Sequence, residues 1–315
     1  MNGAYLGALS MAIYCLSTAL SAVWVMFSFT RINGATLTFI TFLLAWSVFF
    51  VVHRLRGHDP LRLLKDKWRA VTLLNVLTLF SWWFMFMALQ RIEASVESAI
   101  YQGWMPLVVV VCEALTGKSR VSRFRWLGAL MILVSLLGLV MVRLALGATA
   151  MVSVEHLYEG IALATVAGIT GGIYIYSSGR LNLNQQYSAM DILCVRFFLL
   201  LLVTGWIGRD KLLQVLTLDT HMLFQLMGLA VFSVLIPVFS LQYAIQRLGG
   251  GRVSILTPCV PVIALAAEFF LSAWHTLWVP FLVTMVCVAV ILSNVWFTRN
   301  VRLGLPVQSP ATLPK

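Results

Sequence analysis

The chain has 315 residues, 61% of them hydrophobic and only 10% charged, with a mean hydropathy of +0.93. Soluble domains carry about a quarter charged residues, so a water-soluble globular body is excluded. The net charge of +11 is scattered over short loops, which excludes a folded nucleic-acid-binding domain and leaves anionic lipid as the neighbour of those charges.

A helix needs roughly 17 to 25 uncharged residues to cross about 30 Å of hydrocarbon. Ten stretches qualify: 4–29, 33–52, 70–90, 94–115, 126–146, 157–178, 189–208, 222–246, 252–273 and 277–298. The first is uncharged from Met1 to Thr30, longer than the apolar part of a signal peptide and without a clear cleavage site, so it is expected to be retained. Glu97 and Glu113 interrupt the fourth span, Arg196 the seventh and Glu268 the ninth. The longest polar stretch is His53 to Arg69, and residues 303–315, with Pro306, Pro310 and Pro314, read as a disordered cytoplasmic tail. Thr116-Gly117-Lys118-Ser119 ends like a phosphate-binding loop, but Cys112 occupies the place of its first glycine and no soluble strand precedes it. All five cysteines, Cys15, Cys112, Cys194, Cys259 and Cys287, fall in spans and outline neither a disulfide framework nor a zinc site; no cofactor is expected.

With the N-terminus inside, the cytoplasmic loops and tail hold sixteen Lys and Arg and the opposite side five, counting Arg143 at the outer end of the fifth span, while Arg196 lies well inside a span. This positive-inside bias puts both termini in the cytoplasm of a multi-pass protein of the cell (inner) membrane.

The chain also repeats itself. Ala88-Leu89-Gln90-Arg91-Ile92, followed by Pro106 and Glu113, is echoed by Ala244-Ile245-Gln246-Arg247-Leu248, followed by Pro261 and Glu268. Tyr5-Leu6-Gly7 corresponds to Tyr158-Glu159-Gly160, and Trp126 to Trp278. Five spans per copy is an odd number, so the second copy enters the membrane in the opposite sense. The expected architecture is an all-α membrane protein of ten transmembrane helices, in two inverted five-helix repeats covering 1–150 and 151–302.

Ten spans in inverted halves, the Ala-x-Gln-Arg turn and the Pro-x6-Glu pattern together resemble the drug/metabolite transporter superfamily, EamA type, over about Tyr5 to Phe297. The resemblance implies a cytoplasmic-membrane carrier, usually an exporter or exchanger of amino acids, amines or other small metabolites, with its pathway lined by both halves. That family often has an arginine midway along the second helix of each half. Here Arg196 stands in span seven, but the matching first-half region is Thr41-Phe42.

Ionisable residues inside a membrane usually face a water-filled cavity or one another. Glu93, Glu97, Tyr101 and Trp104 share one face of span four, and a carboxylate beside two rings suits an ammonium group; an exposed Glu93 with Tyr101 and Trp104 in an interfacial belt is the plainer alternative. Arg196 suits a substrate carboxylate or a structural partner in a neighbouring span. Glu113 and Glu268 lie near opposite membrane faces, placed either to cap the mouths through loop arginines or to carry a coupling proton. Pro106 and Pro261 are expected to free the carbonyls of Gln102 and Thr257 at matching depth. Gly168, Gly171 and Gly172 read as helix packing near Tyr174, and Trp82 lies too deep for an interfacial belt.

The expected function is secondary active transport of amino acids or amine-bearing compounds by alternating access, with a nucleoside, a sugar phosphate or a drug as other substrate classes. The expected partners are that small molecule, membrane lipid, a proton as coupling ion and a second copy in a homodimer. The clustered catalytic groups of an integral-membrane enzyme are not found. In a bacterial host, a fluorescent protein fused after Lys315 should fluoresce and alkaline phosphatase fused after Gly147 should be active; the opposite pattern would reverse the topology.

Overall fold

The structure, a computed structural model, describes residues 3–29, 32–116, 123–145, 154–181, 187–216 and 220–271. Among these residues every regular element is helical. Nine helices are long and apolar enough to cross a membrane: α1 (Gly3–Ser28), α2 (Gly34–Leu55), α3 (Trp68–Leu89), α4 (Ala94–Leu115), α5 (Arg125–Val142), α6 (Glu155–Leu181), α7 (Ala189–Leu212), α8 (Thr220–Leu248) and α9 (Gly250–Ala267). They coincide with the first nine predicted spans to within a few residues. The predicted tenth span, 277–298, and the tail lie outside the described residues, as do Trp278, Cys287 and most of the Thr116–Ser119 motif.

α1 packs against α8 and α9, while α6 packs against α3 and α4; α2 lies against α7 and α8, and α5 against α4. Close approach is made possible by glycine where helices touch backbone to backbone. A Cβ on Gly168 would lie 2.6 Å from the Tyr101 carbonyl oxygen, and one on Gly172 would lie 2.7 Å from Val108 Cβ, so α6 is pressed directly onto α4. The repeated motifs meet across the molecule. Gly7 of α1 receives Arg247 and Leu248, at 2.9 and 2.8 Å from a notional Cβ, and Gly160 of α6 receives Arg91 and Ile92 at 3.2 and 2.5 Å.

Four helices are irregular. In α8 the segment Ala230–Leu235 is π-helical, and Pro237 accounts for it: Pro237 has no N–H, and its ring pushes away the carbonyl four residues earlier, that of Ser233. In α3 the segment Leu79–Trp83 is also π-helical, without a proline.

α7 is expected as one span but is two helices, Ala189–Val195 and one starting at Phe198, with Arg196 and Phe197 in the turn between. Hydrocarbon cannot hydrogen-bond the backbone groups such a break exposes. Asn75 of α3 bridges it, with Nδ2 donating to Val195 O at 2.8 Å and Oδ1 accepting from Leu199 N at 3.0 Å. Trp46 Nε1 of α2 donates to Cys194 O at 2.9 Å.

α9 is likewise split at Thr257-Pro258, between Gly250–Leu256 and Cys259–Leu271. Pro258 has no N–H for the Ser254 carbonyl, and the Thr257 hydroxyl donates there instead at 3.0 Å. The expectation that Pro261 leaves the Thr257 carbonyl free is corrected, since Val260 N–H donates to it at 3.0 Å. α4 runs unbroken through Pro106, whereas the break in α9 falls at Thr257-Pro258, ahead of Pro261.

Loops at one end of the bundle tie α2, α3 and α7 together. Buried His53 at the end of α2 lies 3.0 Å from Asp191, which also closes a capping box with Ser188 at the start of α7. The Tyr187 hydroxyl donates to Asp66 at 3.2 Å. In the same loop region, Lys65 and the Leu61 N–H hold the Asp59 carboxyl below its usual range.

Replacing Asn75 by Ala should lower thermal stability in detergent, at about 1–3 kcal/mol for each backbone group left without a partner. Trp46→Phe, which removes one bond and keeps the ring's bulk, should cost less than Asn75→Ala in the same melting experiment.

Candidate functional site

A narrow, partly open cavity lies where α1 and α3 end and α4 begins. α1 contributes Thr18, Ser21, Ala22 and Val25; α3 contributes Trp82, Met85, Phe86 and Leu89; α4 contributes Glu97, Ser98, Tyr101 and Gln102; α8 contributes Ser233. The α1 residues recur at i, i+3, i+4 and i+7, one face of a helix. Trp82 and Ser233 both sit in the π-helical segments.

Polar groups in this wall are buried and incompletely bonded. Thr18 Oγ1, Glu97 Oε1, Gln102 Oε1 and Ser233 Oγ have no hydrogen-bond partner among the described residues. Their neighbours are fixed: Ser98 Oγ donates to Glu97 Oε2 at 3.3 Å, Gln102 Nε2 donates to Tyr14 OH at 3.2 Å, and Tyr101 OH is 3.0 Å from Ser81 Oγ. Ser21 Oγ donates to Phe232 O at 3.1 Å, bonding a carbonyl of the π-helical segment in α8. What remains unsatisfied is mostly acceptor: one carboxylate oxygen, one amide oxygen and two hydroxyls, with Tyr101 and Trp82 alongside. That set fits a small cation with several N–H donors.

A second buried polar cluster is built from three helices. Arg196, wholly buried, donates through Nη1 to the Tyr174 hydroxyl, which donates to Gln242 Oε1. Gln242 Nε2 donates to Ser178 Oγ at 2.8 Å. These residues come from α6, α7 and α8.

The structure thus brings together Glu97, Tyr101, Gln102 and Trp82 in one cavity, and Arg196 with Tyr174 in the adjoining cluster. Trp104 lies outside the cavity wall, packed beside the cluster of Val96, Ile100 and Ala164 and against Gly168. Thr257 is buried at the break in α9, with its hydroxyl on Ser254. Glu113 pairs with Arg125 at 2.5 Å, and both lie 3.0 Å from a notional Cβ on Gly251 at the start of α9. Glu268 lies in the second segment of α9, and the surroundings of its side chain are outside the described residues. Among the described residues no group of three His, Cys, Asp or Glu is placed to hold a metal ion.

Sequence reading overlooked Tyr14, Thr18, Ser21, Ser178, Ser233 and Gln242, all uncharged. A scan for polar residues at helical spacing would have found the α1 face, and Pro237 signalled the irregular turn that carries Ser233.

Residues 5–141 match the model of the EamA-like transporter family. A solved crystal structure aligns with 97% of this chain and 98% of its own, with TM-score 0.63 and 17% identity, which is a likeness of fold. No curated protein matches the sequence.

Removing the orphaned hydroxyls should separate a structural role from a binding one. Thr18→Val and Ser233→Ala should leave melting temperature unchanged or raise stability by up to about 1 kcal/mol, because each deletes a buried unpaired group. A marked loss of stability in either variant would show that the hydroxyl is part of the structure's own bonding.

Proposed function

From the premise that this chain belongs to the EamA-like transporter family of the drug/metabolite transporter superfamily, we propose that it carries small amine-bearing metabolites, amino acids among them, across the cell membrane by alternating access. The observation that carries this reading is the α1–α3–α4–α8 cavity, in which buried Glu97 Oε1 has no cation and its polar neighbours offer unpaired acceptors. An ammonium group would complete that set through its N–H donors while Tyr101 and Trp82 supply aromatic faces.

Alternating access requires two bodies that share one site. The reciprocal packing of α1 on α8 and α9, and of α6 on α3 and α4, supports a division into two inverted five-helix halves, each resting on the third and fourth helices of the other. Contacts close both ends. At one, Arg91 pairs with Glu159 at 2.8 Å and Ile92 fills the space beside Gly160. At the other, Gly250 is pressed against Ile175 O, at 2.7 Å from a notional Cβ, and Tyr176 OH lies 2.6 Å from Thr116 Oγ1. With both termini cytoplasmic, the Arg91–Glu159 end faces outward, and the cavity lies nearer that end. A carrier without nucleotide chemistry works by exchange or by coupling to an ion gradient, and export is the proposed direction.

Heat stability of the purified chain should rise with amines or amino acids in the buffer, by mass action on the folded state. Glu97→Gln should abolish that rise, and proteoliposomes should show the corresponding flux. Stabilisation by sugar phosphates or nucleosides alone, or an unchanged response in Glu97→Gln, would sink the amine reading.

A further inference from the structure

Arg196 is the largest fully buried side chain of the molecule's described residues, and none of their carboxylates pairs with it. Guanidinium keeps its charge at any physiological pH, so burial cannot be relieved by loss of a proton. The rings of Tyr174 and Phe197 lie 4.1 and 4.8 Å from its central carbon, contacts that use none of its N–H donors. Nη1 is engaged by the Tyr174 hydroxyl. Among the described residues Nε and Nη2 have no hydrogen-bond partner.

Those two nitrogens form one edge of the planar group, and their parallel N–H bonds match the two oxygens of a carboxylate. A structural arginine normally commits that edge to a protein carboxylate or to backbone carbonyls. Here the carbonyls at the break in α7 are already taken by Asn75 and Trp46, so the arginine is not what holds the broken backbone together. Tyr101, in the wall of the Glu97 cavity, also lies within electrostatic reach of Arg196.

We propose that Arg196 is the subsite for a carboxylate of the substrate, bound side-on through Nε and Nη2, so that the carrier selects zwitterionic amino acids over plain amines. This rests on the reading of the Glu97 cavity as an ammonium site.

The test is ligand stabilisation and affinity on the full-length purified chain, using matched sets built on leucine, phenylalanine, serine and arginine. Each set contains the amino acid, its methyl ester, its decarboxylated amine and its deaminated acid. In the parent protein one amino acid should bind at least about tenfold tighter than its ester and amine, because both lack the anionic oxygens. Arg196→Lys, which keeps charge and loses the fork, should erase that preference and leave amine binding within about twofold. Asn75→Ala loosens the same helix break without touching the charge, and it should lower stability while keeping the preference.

The proposal is overturned if amino acid, ester and amine bind the parent equally, if Arg196→Lys weakens amine and amino acid alike, or if Asn75→Ala loses the preference as Arg196→Lys does. Because the first comparison uses only the parent protein, a variant that does not fold leaves it decisive. Deaminated acids that bind through Arg196 without dependence on Glu97 would uphold this subsite and remove the ammonium reading. Amines that bind through Glu97, with no gain from a carboxylate, would do the reverse, and no binding by any set would remove both.

Discussion

Within hydrocarbon each backbone N–H and C=O must find its partner inside the protein, and four of the nine described helices meet that requirement with irregular geometry. The break in α7 depends on Asn75 and Trp46, the split in α9 on the hydroxyl of Thr257 and the N–H of Val260, and the π-helical turn of α8 has one carbonyl bonded by Ser21. For α7 and α8 the partner comes from the other half of the chain. The irregularities are therefore interfaces as much as local distortions. They also set the site, because the π-helical turns carry Trp82 and Ser233 and the α7 break carries Arg196.

The two polar regions have opposite imbalances. Around Glu97 acceptors are left over, and around Arg196 donors are left over. Neither region resolves the other: Arg196 turns to Tyr174 and Gln242, and Glu97 to Ser98. A buried polar group without a partner is unfavourable, so each imbalance is a cost that the described residues leave uncompensated.

Most of the architecture was legible because hydrophobic length is a strong signal in a membrane protein. Nine spans could be placed from long apolar runs with few charges, and the paired Ala-x-Gln-Arg turns marked places where the chain contacts its own distant glycines. The breaks were less legible. Proline is an ambiguous sign: Pro106 lies in an unbroken helix, while Pro258 ends one and Pro237 accompanies a π-helical turn. Charged residues led to Glu97 and Arg196, but the residues that define their surroundings, such as Gln242, Thr18 and Ser233, are uncharged and ordinary in composition. Only their convergence from distant helices distinguishes them, and convergence is a property of tertiary packing.

The contact of α1 with α8 has a consequence for how the chain is made. Ser21 bonds the carbonyl of a residue 211 positions later, and α8 is the helix against which α1 packs most extensively. At roughly 5–20 residues per second of synthesis, about 10–40 s pass between the appearance of that serine and of its partner. During that interval the Ser21 hydroxyl has only carbonyls of its own helix to bond, and the native contact of the first helix waits for the eighth.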